Sequence, residues 1–406
     1  MLTIQINVCK ITNFVNINFL KFLKVEQNIQ RLEYLLSLYK MTVEELAALI
    51  SKGKKKAVDK EDIYAGNIDL AYLKRIDKIF NKGLHYYLDP TSPNVEADAS
   101  IFFRKHKFDV DLNFGAKKVV NQFEEFKISL SGIAKLADLK IHRILPIFKI
   151  ENDAQNSAFE IRKILYPDFQ NQPKEFLKSF ISKLAEYNIL VFEFVETWNK
   201  KEKANIDGFF LTPNVIVLKR QQVSFRREIF TLSHELGHYL LNKEEIEKLD
   251  VQDLSNKNLS KVERWCNDFA YHFLAGPENP IETIDAADPK NDYAFDIVEN
   301  VSANTHLSKI ALFTRLLYKK KISIKHYNMI KADFEEQFRQ RQEEEKSKKE
   351  QDKLDGIKIR GSAPKPINSP LLISTIQTAF YEGVINEYDV CKTLNIKPDK
   401  LETILS

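Results

Sequence analysis

Two histidines four residues apart, with a glutamate directly after the first, constrain this chain more than any other stretch. The segment reads Phe230-Thr-Leu-Ser-His-Glu-Leu-Gly-His-Tyr-Leu-Leu-Asn242. On an α-helix His234 and His238 share a face, so both imidazoles can reach one metal ion. Glu235 sits about 100° further round the helix. It cannot join the imidazoles squarely, but it can reach a water on the metal, which makes it a general base and not a ligand. This spacing is the pattern of a zinc-dependent hydrolase. Leu232, Leu236, Leu240 and Leu241 supply an apolar surface, and Ser233 and Gly237 are small enough for another segment to pass close by. The bland alternative is a chance match on a buried helix, but the whole chain holds only 8 His.

A catalytic zinc takes three protein ligands and leaves its fourth position to water. The nearest candidates downstream lie in Val262-Glu-Arg-Trp-Cys-Asn-Asp-Phe-Ala270. Glu263 is a candidate third ligand, and taken alone it is equally a surface glutamate of an amphipathic helix. Asn267, four residues on, shares its face. There it can accept from the free ring N–H of a ligand histidine. Cys266 shares that side too; a small buried filler is expected there in preference to a thiolate ligand or redox switch.

Ile206-Asp-Gly-Phe209, the Arg226-to-His238 stretch and Glu263-x-x-Cys-Asn-x-Phe-Ala270 together resemble the ImmA/IrrE family of metallopeptidases. The likeness takes in Ala158 and Arg162 upstream and the segment from Val301-Ser302 to Arg315 downstream. What the resemblance implies is a zincin-like core with zinc on His234, His238 and Glu263, and with Glu235 as the base. It also implies an endopeptidase that makes limited cuts in a protein substrate, a helix-turn-helix repressor, and so relieves repression. The competing reading is a DNA- or protein-binding regulator whose peptidase domain is sensory, weakly active or inactive.

Composition narrows the setting. With 61 basic and 57 acidic residues the net charge is +4, too even to point to nucleic acid. Cys9, Cys266 and Cys391 are odd in number and far apart, which argues against a disulfide framework and fits a reducing cytoplasm. No apolar run approaches the ~20 residues of a membrane span. The first nine residues lack the charged start and apolar block of a secretory signal. A cytoplasmic protein with no membrane partner is expected.

The expected fold is α+β and mostly helical: a zincin-like core with a small sheet, flanked by helical N- and C-terminal regions. Residues 1–26 read as an N-terminal extension. Residues 27–95 resemble a degenerate helix-turn-helix domain, with a capping box in Thr42-Val-Glu-Glu45. Where a recognition helix should present groups to base edges, the chain offers Ser51-Lys-Gly-Lys-Lys-Lys56 and then Asp59-Lys-Glu-Asp62. The lysines read as a loop and the acids repel phosphate, so this domain is expected to bind protein and not specific DNA. Residues 96–150 form a helical connector, in which 111–148 read as two helices broken near Ser129 to Gly132. The peptidase domain covers 151–330, with helices over 158–165 and 176–187 and strands over 189–195, 208–210 and 215–218. The last strand is nominated as the edge that accepts an extended substrate. Tyr271 is placed towards the metal side and His272 away from it. Residues 331–370 are a charged helix and linker, and 371–406 a small helical segment.

Overall fold

The computed structural model describes residues 23–39, 41–53, 57–80, 82–93, 112–139, 141–195, 203–220, 224–245, 260–285, 294–354 and 365–405. Contacts divide the chain into two compact units, Met1–Asp109 and Val110–Ser406.

The first unit is a small helical cluster. Strand β1 (Lys24–Glu26) pairs antiparallel with β2 (Asn67–Asp69), with Val25 opposite Ile68. Its helices are α1 (Ile29–Leu38), α2 (Val43–Ser51), α3 (Lys60–Ile63), α4 (Leu70–Phe80) and α5 (Leu84–Leu88). The capping box opens α2: the Glu45 amide donates to Thr42 Oγ1 at 3.1 Å and the Thr42 amide to Glu45 Oε2 at 2.9 Å. Leu32, Leu35, Leu46, Ile63, Leu73 and Ile76 are fully buried and form the core. The acidic stretch that follows the lysines forms α3, a single turn. The N-terminal extension up to residue 22, the lysines at 54–56 and the start of the connector at 94–111 lie outside the described residues.

The second unit is built round a three-stranded sheet: β3 (Leu190–Val195), β4 (Gly208–Leu211) and β5 (Val215–Arg220). The strand order is β3-β5-β4. Val217 of β5 faces Phe192 in the parallel β3 and Phe209 in the antiparallel β4. The expectation that 215–218 is an edge strand is therefore wrong: β5 is central, and among the described residues β3 and β4 are the edges. Side chains alternate between two covered faces. Val191, Phe210, Ile216 and Leu218 enter the main core. Phe192, Phe194 and Phe209 meet the other layer, α6 (Phe114–Leu136), through Phe123 and Phe126; the Phe126 and Phe192 ring centres are 5.0 Å apart.

Helix α6 runs unbroken through Ser129 and Gly132, against the expected break. Local propensity at those two positions is poor. Burial of Val119, Val120, Leu130 and Ala134 along the helix outweighs it.

On the main-core side lie α7 (Ala154–Leu165), α8 (Pro173–Glu186), α9 (Phe225–Leu241) and α10 (Lys261–Ala275). Asp153 caps α7 by accepting from the Asn156 amide at 2.8 Å, and proline opens α8 at a position where no amide donor is needed. Helices α11 (Phe295–Asn304) and α12 (Lys309–Tyr318) follow. Then comes α13 (Ile324–Leu354), which buries Tyr327 and Ile330 near its start and is exposed from residue 337 to 348. Helix α14 (Pro370–Tyr381) packs back on α8 and α6, followed by α15 (Glu387–Leu394) and α16 (Glu402–Leu405). Most of the expected linker, 355–364, lies outside the described residues, as does 246–259 between the two histidine- and glutamate-bearing helices. No helix among the described residues is long and apolar enough to cross a membrane.

Candidate metal centre

Helix α9 is buried nearly all round, which is the environment of a central helix and not a surface one. Ser224 caps it, its hydroxyl accepting from the Arg227 amide at 3.3 Å. It ends at Asn242, whose φ of 50° is the left-handed conformation that asparagine tolerates. Helix α10 is capped by Ser260, whose Oγ accepts from the amide of Glu263 at 3.1 Å. The two helices meet at Gly237. A Cβ there would lie 3.1 Å from the Cα of Cys266, so only a glycine lets α10 come this close.

That approach brings three side chains together. His234 Nε2 and His238 Nε2 are 3.1 Å apart. Glu263 Oε2 is 3.1 Å from His234 Nε2, and its Oε1 is 3.0 Å from His238 Nε2. The three residues and Glu235 are only 1–3 % exposed. Buried ionisable groups at this density need pairing or a metal ion, and His234, His238 and Glu263 form a group that can hold one. The spacing fits: tetrahedral ligands at zinc bond lengths stand about 3.3 Å apart.

The surroundings set each group's state. His238 Nδ1 faces the Lys243 carbonyl at 3.2 Å; as its N–H donor it leaves Nε2 with a lone pair for a metal. Burial pushes the Glu235 carboxyl up to about 7, against the pull of His238 and His234. Burial also opposes ionisation of Glu263, but the two facing imidazoles and their hydrogen bonds hold its carboxyl well below the usual range. Among the described residues, Glu235 Oε2 and His234 Nδ1 have no hydrogen-bond partner. Burial pushes the Cys266 thiol up to about 11, which keeps it neutral.

Asn267 is not joined to this cluster by any hydrogen bond among the described residues. The acceptor at His238 is the Lys243 backbone, which carries no sequence signal. Tyr271 does not serve the cluster: its hydroxyl accepts from Asn279 Nδ2 at 2.6 Å and its ring lies under Arg315. His272 faces away as expected, with its Nε2 3.0 Å from the Arg315 guanidinium.

The arginines in the wider motif tie the helices. Arg226 at the start of α9 donates to the carbonyls of Ser302 and Leu307, both at 2.8 Å. Arg162 donates to the Phe273 and Leu274 carbonyls at the end of α10. Arg315 bridges Asp268 and Glu282.

Residues 185–305 match the family model Peptidase_M78, the IrrE N-terminal-like domain. This part of the chain is similar to that peptidase family's domain. The matched residues run from before β3 to the end of α11 and contain the whole His-His-Glu group, in a zincin-like fold. No curated protein and no solved structure matches the chain. The M78 match supports a peptidase, and that family implies a protein substrate.

Proposed function

We propose that the chain is a cytoplasmic zinc-dependent endopeptidase in which His234, His238 and Glu263 hold the metal and Glu235 is the catalytic base. The observation that carries this reading is the convergence of two imidazole nitrogens and a carboxylate within 3.0–3.1 Å of one another. An unpartnered Glu235 carboxylate oxygen beside them supports it. Two nitrogens and one oxygen are a donor set of catalytic zinc. Zinc bound there would polarise the scissile carbonyl and acidify the attacking water.

The chain's own residues do the rest. Glu235, a buried carboxylate beside the three ligands, takes a proton from the attacking water and later delivers it to the leaving amine. The Lys243 carbonyl keeps the His238 ring in its orientation. Substrate binds as an added strand on β4, whose partner among the described residues is β5 alone. Strand β4 starts beside the base: a Cβ on Gly208 would lie 3.3 Å from Glu235 Cγ. A strand-addition site takes only extended chain, so a folded substrate must offer a flexible segment.

The substrate that fits this reading is a helix-turn-helix repressor cut once, with repression relieved as the outcome. The N-terminal unit docks protein and reads no specific DNA; a one-turn α3 after the lysines supports this. The test is incubation of the zinc-loaded protein with the repressor encoded beside it, with unfolded casein as control. One discrete cut in the repressor, lost in Glu235→Gln, is expected. Efficient casein digestion with the repressor intact would overturn the substrate assignment.

A further inference from the structure

The three residues that follow the metal helix each reach a different part of the site. The chain reverses at Asn242, and the Lys243 amide donates back to the His238 carbonyl at 3.0 Å. The Lys243 carbonyl in turn faces the His238 ring nitrogen at 3.2 Å. The next residue, Glu244, is buried, and its Oε1 accepts from both the amide and the hydroxyl of Thr212, each at 2.7 Å. Thr212 directly follows β4, and its carbonyl accepts from Lys127 of α6 at 2.8 Å. Glu245 Oε2 accepts from the Ser260 hydroxyl at 3.0 Å. That same hydroxyl oxygen accepts from the Glu263 amide.

The contacts divide cleanly. Glu245 orients a hydroxyl so that its lone pair meets the amide of Glu263, and so fixes the first turn of α10 where that carboxylate stands. Glu244 fixes the end of β4. Charged acceptors make the stronger hydrogen bonds, and a buried carboxylate that accepts two of them from one residue holds that residue firmly. Thr212 lies 32 residues from Glu244 in the chain, so this is tertiary positioning and not local turn chemistry.

We propose that Lys243, Glu244 and Glu245 form a positioning element that registers the substrate-bearing strand β4 and the Glu263 helix against the metal helix. Glu245 acts through Ser260 on the metal ligand; Glu244 acts through Thr212 on the strand. The proposal rests on the metallopeptidase reading above, and its test does not use cleavage.

Two readouts separate the two arms: zinc affinity by competition with a chelator, and hydrogen exchange of the backbone amides at 208–212. Glu245→Ala is expected to weaken zinc about 10–100-fold, the usual loss when a ligand's supporting contact is removed. Glu245→Gln, whose amide oxygen still accepts from Ser260, restores it. Ser260→Ala, a one-atom change, gives the same weakening if the Glu245→Ala chain fails to fold. Glu244→Ala is expected to speed exchange at 208–212 by about tenfold or more, from the loss of two hydrogen bonds to a charged acceptor. Its zinc affinity stays at the wild-type value, and Glu244→Gln reverses the exchange effect. Unchanged zinc affinity in Glu245→Ala and Ser260→Ala overturns the proposal. So does a common shift of both readouts in both alanine variants, which is plain loosening. A chain that binds zinc and obeys these rules but cuts no protein would sink the peptidase reading and leave this one standing.

Discussion

Gly237 of α9 lies against Cys266 of α10, so close that a single added carbon would stand 3.1 Å from its Cα and Sγ. This contact sets the distance between the helix carrying His234 and His238 and the helix carrying Glu263. The obstacle is backbone, which cannot swing away as the end of a long side chain can. Gly237→Ala therefore has to push α10 outward by a few tenths of an ångström. The expected outcome is a folded chain destabilised by about 1–3 kcal/mol, with zinc bound more weakly. Denaturant unfolding and chelator competition measure the two effects. Wild-type values in both would show that the helices have slack at this crossing.

The second prediction concerns Glu235. Its carboxylate stands beside the three-residue group but makes no hydrogen bond through Oε2 among the described residues. Glu235→Gln keeps the shape and removes the base. Zinc content is expected to stay at one per chain while cleavage falls by about 10²–10⁴-fold. His234→Ala, His238→Ala and Glu263→Ala should each lose the metal instead. Metal analysis beside a cleavage assay separates the two classes. Retained cleavage in the Gln variant would mean that another group activates the water.

Much of this site was legible because its signals are local. Helical spacing places His234 and His238 on one face, and the Thr42 capping box reads directly from four residues. Pairing order is another matter. Val215-Ile-Val-Leu218 is a continuous apolar run, the pattern of a strand covered on both faces, yet periodicity does not say which strand lies beside it. Ser129 and Gly132 read as a break because local propensity is all that the sequence offers there; aromatic packing on the sheet decides otherwise. Asn267 shares a helical face with Glu263, but it lies a full turn further along. The acceptor at His238 is a backbone carbonyl, and the acids that brace the site act on Thr212 and Ser260, far away in the chain.

Acid should weaken the fold through His272. The Arg315 guanidinium can only donate, so His272 Nε2, 3.0 Å away, must keep its lone pair. Burial, aided by the Arg315 charge, lowers this imidazole to about 4. In the unfolded chain it takes up its proton near 6.5. Between these values the unfolded state binds more protons, so stability falls as pH drops from about 6.5 to 4 and carries no cost from this group above that window. The full effect is on the order of 3 kcal/mol. His306, also lowered to about 4, chiefly by burial, adds to the slope in the same direction. His272→Gln, which keeps an acceptor without titrating, should flatten part of the pH dependence of the denaturation midpoint. An identical slope in wild type and variant would show that His272 takes up its proton as readily in the fold as in the unfolded chain.

The last prediction concerns the C-terminal helices. Residue 367 donates its amide to Glu193 Oε2 at 2.6 Å, on the edge strand β3. Helix α14 then lies on α8 and α6 with Leu372, Ile376 and Ala379 buried. These contacts make the segment a part of the layer that supports the sheet, and not a separate appendage. Ile376 is fully buried, so Ile376→Ala should cost about 2–5 kcal/mol. Ending the chain at residue 364 removes the same contacts and exposes apolar surface on α8 and α6. Thermal unfolding of both chains, followed by near-UV dichroism of the aromatic core, would measure the loss. An unchanged midpoint in the shortened chain would mean that the peptidase unit is complete without its C-terminal helices.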